Sequence, residues 1–333
     1  MSDGNYIEGS WFFYAPNKGA AVFFTVAFAS SALVHCWQCY RYRSYMLMIL
    51  ILACSIVLTA GFAVRIYCAI DYQNIRTFIA TTFLVYSAPP VLELANYHIL
   101  GRILSFVPYC SPLHPGRVFT TFAILSCIVE VLNALGVTYS SISALPPTTI
   151  RTGQALLKAS LVLQLVVALL FAVLAVSFHR RCLSRGVRDR RVVGPLVTLY
   201  VSTALITVRT VYRVVEYWAA ATVSGSPSPV VRHEWFFLVF EASVVLLDCV
   251  LFNVFHPRRF LPRNSKTFLA LDGVSEVEGP GWSDSRPWMV TLCDPFDVMG
   301  AIRPAGKSGE RFWETDGVES VLSGSKQVVE RES

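Results

Sequence analysis

Seven long apolar stretches run through the chain, at about 19–40, 45–70, 77–102, 117–140, 154–179, 194–222 and 234–256. A helix needs roughly 20 apolar residues to cross the ~30 Å hydrocarbon layer of a bilayer. The fifth (LLKASLVLQLVVALLFAVLAVSF) and seventh (EWFFLVFEASVVLLDCVLFNVF) are the clearest, and the fourth, rich in Thr, Ser and Cys, is the weakest. None alternates as a barrel strand does. Lipid offers no water to backbone N–H and C=O groups, so the segments must satisfy them as helices. The expectation is an all-α integral membrane protein, a bundle of seven transmembrane helices.

Charge agrees with this. Of 333 residues, 54% are hydrophobic and 15% charged, whereas a soluble domain carries about 25% charged residues. Twelve of the 22 acids follow Leu261, leaving ten for everything before it. Three regions result: an extracellular segment 1–18, a membrane domain 19–260, and a cytosolic tail 261–333. The tail turns to Gly, Ser, Pro and mixed charge, which predicts a largely disordered segment with one apolar patch at PWMVTLCDPFDVMG. The acidic start MSDGNYIEGS and the length of the first span predict an uncleaved anchor rather than a signal peptide. No prenylation box or retention signal is expected from the last residues.

Orientation follows from Lys and Arg, which accumulate on the cytosolic side. With the N-terminus outside, the cytosolic connections HCWQCYRYRS, GRILSFVPYCSPLHPGR, HRRCLSRGVRDRR and HPRRFLPRNSK hold fourteen basic residues. The other side holds four: Lys18, Arg76, Arg151 and Arg232. The net charge of +6 therefore lies at span ends and gives no basis for nucleic-acid binding.

Nine ionisable residues fall within the spans: Arg65, Lys158, Arg209 and Arg213 against Glu93, Glu130, Glu216, Glu241 and Asp248. Each costs about 2.5–3.5 kcal/mol at a helix centre, so each must pair or face a wet cavity. Arg209, Arg213 and Glu216 share one face of the sixth helix, and Glu234, Glu241 and Asp248 share one face of the seventh. At 1.5 Å rise per residue, Arg213 is expected near the depth of Glu241 and Arg209 near that of Asp248. The result is a polar seam between the two helices, extended by Gln164, which either fixes packing through ion pairs or forms a substrate path. No HxxxH or HxxHH pattern is present, so no metal, cofactor or enzymatic centre is expected. His35, His179 and His256 sit at cytosolic helix C-termini, where a cation complements the helix dipole. Cys36 and Cys39 form a lone CxxC, read as packing residues.

Helices five to seven resemble a fungal family, the RTA-like lipid-translocating exporters. Leu199, Tyr200, Arg209, Tyr212, Arg213, Glu216, Tyr217, Glu234, Trp235, His256 and Pro257 match its pattern. So do Tyr14 with Pro16, His35, Gly61 with Arg65, Pro89 with Tyr97, Gly101 and Arg102, and Gly153 with Gln164. The chain departs from the family at Leu58, Ser126 and Asn133, where acids or Gln are usual, although Glu130 shares the face of the latter two; at the family's helix-seven Asp it has Glu241. The resemblance implies movement of sphingoid-base-like or sterol-like amphiphiles across the plasma membrane, in lipid asymmetry or resistance to toxic amphiphiles. The candidate site is the polar seam with its neighbours: Arg209, Arg213, Glu216, Glu234, Glu241, Asp248, Gln164, Glu130 and Arg65. With no Walker motif, passive exchange or proton coupling would drive it. A seven-helix receptor coupled to G proteins also fits the helix count, though helix three ends in LGRILSF without an acid-arginine-aromatic triplet and helix seven lacks an NPxxY-like element. A regulator of another lipid transporter is a third reading.

The fourteen-to-four bias makes a direct prediction. A glycosylation acceptor inserted near Ser10 is modified, and a reporter fused after Ser333 stays in the cytosol; the reverse pattern contradicts the orientation.

Overall fold

Among the described residues, seven helices are long and apolar enough to cross a membrane. They are α1 (Lys18–Tyr42), α2 (Tyr45–Cys68), α3 (Ile75–Phe106), α4 (Pro115–Ser141), α5 (Pro147–Ser184), α6 (Arg190–Ala221) and α7 (Glu234–Arg259). This is a multi-pass, all-α membrane protein. A computed structural model describes residues 11–12, 14–43, 45–71, 73–141, 146–221 and 229–279. The expectations for residues 1–10, for the apolar patch PWMVTLCDPFDVMG with Cys293 and for the rest of the tail past 279 lie outside the described residues.

The chain divides into two compact units. The first comprises residues up to Asn96, Leu125–Leu170 and Tyr200–His256, and the second Tyr97–Ile124, Phe171–Leu199 and the residues from Pro257. In the first unit α1 packs along α2 and against α7. Phe24 and Phe28 of α1 stack on Phe62 of α2, with ring centroids 5.1 and 5.6 Å apart. Gly61 lets α3 approach closely, for a Cβ there would meet Val85 Cγ2 at 3.0 Å. Thr81 uses that proximity to donate to the Gly61 carbonyl at 2.8 Å. Helices α4 and α5 touch through Gly153, whose added Cβ would lie 2.8 Å from the Ser140 backbone nitrogen.

Helix α7 is not uniform. Glu234–Phe237 is α-helical, Leu238–Ser243 opens into a π turn, and Val244–Val254 resumes the α-helix. Ser243 Oγ donates to the Leu238 carbonyl at 2.8 Å across the wide turn. Such turns mark functional sites with unusual frequency, and Glu241 lies in this one.

In the second unit Tyr97, Phe122 and Phe171 from α3, α4 and α5 form a triangle of rings 5.1–5.5 Å apart. Just past α7, within the tail expected to be largely disordered, the described residues form a hairpin. Strands β1 (Thr267–Leu269) and β2 (Glu276–Glu278) pair antiparallel, Thr267 opposite Glu278. Asp272 caps the turn by accepting from the Val274 and Ser275 N–H groups, both at 3.0 Å, and Gly273 takes φ 73°. Arg191 of α6 donates to Glu276 at 2.6 Å and to the Val274 carbonyl at 2.8 Å, and Tyr109 donates to the Ala270 carbonyl at 3.1 Å. Phe268 and Leu269 are buried. Arg191 also binds Asp189 just ahead of α6, and this hydrogen bonding holds the Asp189 carboxyl below its ordinary value.

Gly153→Ala tests the α4–α5 contact. Overpacking of this kind costs about 1–3 kcal/mol, so the variant loses thermal stability in detergent relative to wild type. Gln154→Ala on the exposed face leaves the melting temperature unchanged.

Candidate functional site

The site begins where α7 begins. Glu234 stands in the first turn of α7, where a carboxylate complements the helix dipole. Its Oε1 accepts from Arg65 Nη2 of α2 at 2.8 Å, and its Oε2 accepts from the Asn17 N–H at 2.8 Å. Asn17 in turn caps α1, its side chain accepting from the Ala20 N–H at 3.1 Å. Arg65 also donates to Tyr14 Oη at 3.2 Å. Its guanidinium lies 4.7 and 4.5 Å from the ring centroids of Phe12 and Phe237. One ion pair thus ties together the starts of α1 and α7 and the end of α2.

Deeper along α7, Glu241 Oε1 accepts from Arg209 Nε at 2.8 Å and Nη2 at 2.7 Å. Both residues are buried, Glu241 to 1% exposure. Asp248 accepts from Ser202 Oγ at 2.9 Å, and Ser202 in turn meets Asn96 of α3. Seven residues separate Arg209 from Ser202 and Glu241 from Asp248, so both contacts lie on one antiparallel register.

That register corrects the expected depths. Arg213 does not pair with Glu241, nor Arg209 with Asp248; α7 sits one turn deeper against α6. Rise per residue fixes depth only when both helices leave the connecting loop at one level. Here a separate turn, Pro229–Arg232, precedes α7, and Glu234 is drawn onto Arg65 and the Asn17 N–H. Arg213 turns instead to Glu216 on its own helix. Its guanidinium lies 3.9 Å from the centre of the Tyr86 ring, and Tyr212 Oη donates to Glu216 at 2.9 Å.

The other expected residues are placed elsewhere. Gln164 of α5 donates to Glu93 of α3 at 2.7 Å, a buried contact apart from the α6–α7 seam. Glu130 of α4 is half-buried, hydrogen-bonded by Asn133 and within the field of Arg209. His35 is not a helix-end cation: it is fully buried, with Nε2 3.1 Å from the Cys249 carbonyl of α7. His256 packs against the Tyr42 ring at 5.0 Å. Cys36 and Cys39 are both free. Among the described residues no cluster of three His, Cys, Asp or Glu forms a metal site.

A cavity of about 250 Å³ opens beside the two outer ion pairs. Aromatic residues dominate its wall: Trp11, Phe12, Tyr14, Phe78, Tyr86, Tyr212 and Phe237, with Arg65 and Glu216 among them. Sequence reading missed this aromatic lining and the Asn96–Ser202 pair. A signal existed for both, since Ser202 is seven residues from Arg209 and Tyr212 is next to Arg213 on α6.

Comparison with known proteins places this chain among relatives. The family described as RTA1 like protein matches residues 48–264. A lipid-translocating exporter-like protein RTA1 of Leptosphaeria maculans is 42% identical over 306 residues, a match covering 86% of this chain and 58% of that relative. A protein of the same description from Ajellomyces capsulatus is 31% identical over 258 residues, covering 72% of this chain and 78% of it. A probable lipid transporter of Emericella nidulans is 25% identical over 270 residues, covering 76% and 69%. No solved structure matches.

Breaking a buried pair by removing one partner costs about 3–5 kcal/mol, more than removing both. Arg209→Ala therefore lowers the yield of folded protein sharply, and Arg209→Ala with Glu241→Gln recovers most of it, measured by fluorescence size-exclusion chromatography. Strictly additive losses contradict the pairing.

Proposed function

This chain belongs to the RTA1-like protein family, and from that premise we propose that it moves amphiphilic lipids across a membrane. The cargo proposed is sphingoid-base-like or sterol-like, the membrane the plasma membrane, and the outcome lipid asymmetry or resistance to toxic amphiphiles. The N-terminus lies outside and the C-terminus in the cytosol. The protein acts as a transporter rather than an enzyme.

The aromatic cavity carries this reading. At about 250 Å³ it falls below the ~300–1,000 Å³ of sites that enclose a whole ligand. Its size suits a headgroup, with the apolar tail left in lipid. Aromatic faces attract cations, and Glu216 supplies a counter-charge for an ammonium. Glu216 is the acid available for this role. Its partner Arg213 lies on the same helix, and the two side chains are about a quarter exposed, at 22% and 25%. By contrast Glu234 and Glu241 hold partners across helices and are buried. Exchange of Arg213 for a bound ammonium thus breaks no ion pair between helices. The names of the relatives, which include lipid-translocating exporter-like and lipid-transporter proteins, support the same class of cargo.

Purified protein in liposomes, with dithionite quenching of labelled lipids and long-chain bases, tests the proposal. Wild type accelerates transbilayer movement without ATP, and Glu216→Gln reduces it at least tenfold at equal reconstitution. Wild type that moves none of the panel overturns the translocator reading and favours a seven-helix receptor. A fully active Glu216→Gln variant removes the cavity acid from the path.

A further inference from the structure

Among the described residues of the first unit, one acid is left fully buried with no salt-bridge partner. Arg65 holds Glu234, Arg209 holds Glu241, and Arg213 holds Glu216. Of the remaining acids, Glu93 receives Gln164 and Glu130 is half-buried beside Asn133. Asp248 is 0% exposed, and among the described residues no Lys, Arg or His forms a salt bridge with it. An isolated ionised carboxylate in an apolar interior is among the least favourable groups a protein can bury.

The surrounding polar atoms do not resolve this, because oxygens outnumber protons. Asp248 Oδ2 lies 2.9 Å from Ser202 Oγ, and Asn96 Oδ1 lies 3.2 Å from the same hydroxyl. A serine hydroxyl has one proton to donate, so it serves one of these oxygens and not both. The Asn96 amide donates to Ser202 Oγ at 2.8 Å. Asp248 Oδ1 has no hydrogen-bond partner among the described residues. Three elements, α3, α6 and α7, thus converge on a point that is rich in oxygen lone pairs and negative in charge.

We propose that Asp248, Ser202 and Asn96 form a binding site for one monovalent cation, sodium or a proton. The charge balance fixes the valence: one carboxylate calls for one positive charge, and a divalent ion would leave an excess in the hydrocarbon. The donors fix the class, since carboxylate, hydroxyl and amide oxygens are hard ligands that suit hard cations. The other charged or titratable groups near Asp248 are already engaged. Cys54 of α2 hydrogen-bonds Cys249 of α7. His35 of α1 faces the Cys249 carbonyl. Arg209 of α6 is held by Glu241, whose Oε2 is itself without a partner. Cation occupancy sets the charge at the point where α3, α6 and α7 meet, which gives a chain without a nucleotide motif a means of sensing an ion gradient. None of the three site residues lines the aromatic cavity, so this site stands apart from the amphiphile reading.

Thermal unfolding of the purified full chain in nanodiscs tests the site without any lipid-transport assay. Sodium is titrated against choline at fixed ionic strength and pH, and pH is then varied in choline alone. A ligand that binds only the folded state raises the melting temperature as its concentration grows. Stabilisation by sodium that is lost in Asp248→Asn identifies a sodium site. Stabilisation by acid alone, lost in the same variant and accompanied by loss of a neutral carboxylic-acid band in the infrared spectrum, identifies a proton site. A wild type indifferent to both, or a response equal in wild type and Asp248→Asn, overturns the proposal. Ser202→Ala keeps the carboxylate and decides the matter if the Asn variant does not fold. It shifts the half-effective sodium concentration several-fold, or the midpoint pH in the proton case, and an unshifted midpoint overturns the site.

Discussion

A charge inside hydrocarbon persists only beside its counter-charge, and the first unit is arranged around that requirement. The Arg65–Glu234 pair is its anchor. Glu234 spends one oxygen on Arg65 and the other on the Asn17 N–H, so a single carboxylate closes the start of α1 onto α2 and α7. The rings of Phe12 and Phe237 pack against the guanidinium, and the pair is largely buried, which strengthens the attraction between its charges. The depth of α7 follows from this anchor. With Glu234 fixed, Glu241 falls opposite Arg209 and Asp248 opposite Ser202.

The pairs differ in what they connect, and the difference separates structure from function. Arg65–Glu234 and Arg209–Glu241 join different helices and are buried, so removing one partner loosens a helix contact. Arg213–Glu216 joins neighbours three residues apart on α6 and borders the cavity. Its ion pair spans no second helix, and the contact Arg213 makes with another helix is the face of the Tyr86 ring on α3. A binding path through a membrane protein needs both kinds: fixed pairs that preserve the packing, and one exchangeable pair that meets the ligand. The π turn around Glu241 gives the fixed part its geometry, since the wide turn moves that carboxylate relative to Glu234 without interrupting α7.

The second unit shows the same economy in water-facing chemistry. The β1–β2 hairpin has only three residues per strand, too short to be stable alone. Arg191 and Tyr109 supply its docking, and the buried Phe268 and Leu269 supply its apolar contact. The residues Asp272 and Gly273 between two alternating runs are a hairpin signal of the Asp-Gly type, masked at first reading by the Gly- and Ser-rich composition around them.

Sequence alone determined the number and kind of the membrane helices, because lipid removes every alternative for an apolar run of that length. It also determined which faces of α6 and α7 carry charge, since helical periodicity depends only on spacing. The family was legible for the same reason, its marks being side chains at fixed intervals on those faces. Which acid meets which arginine was decided by tertiary structure. Pairing depends on the relative depth of two helices, and that depth is set by Glu234 binding Arg65 and Asn17, residues more than 160 positions away in the chain. The exposure that distinguishes Glu216 from Glu241, and the isolation of Asp248 among oxygens from α3 and α6, arise the same way: burial belongs to the space between helices, and no single segment encodes it.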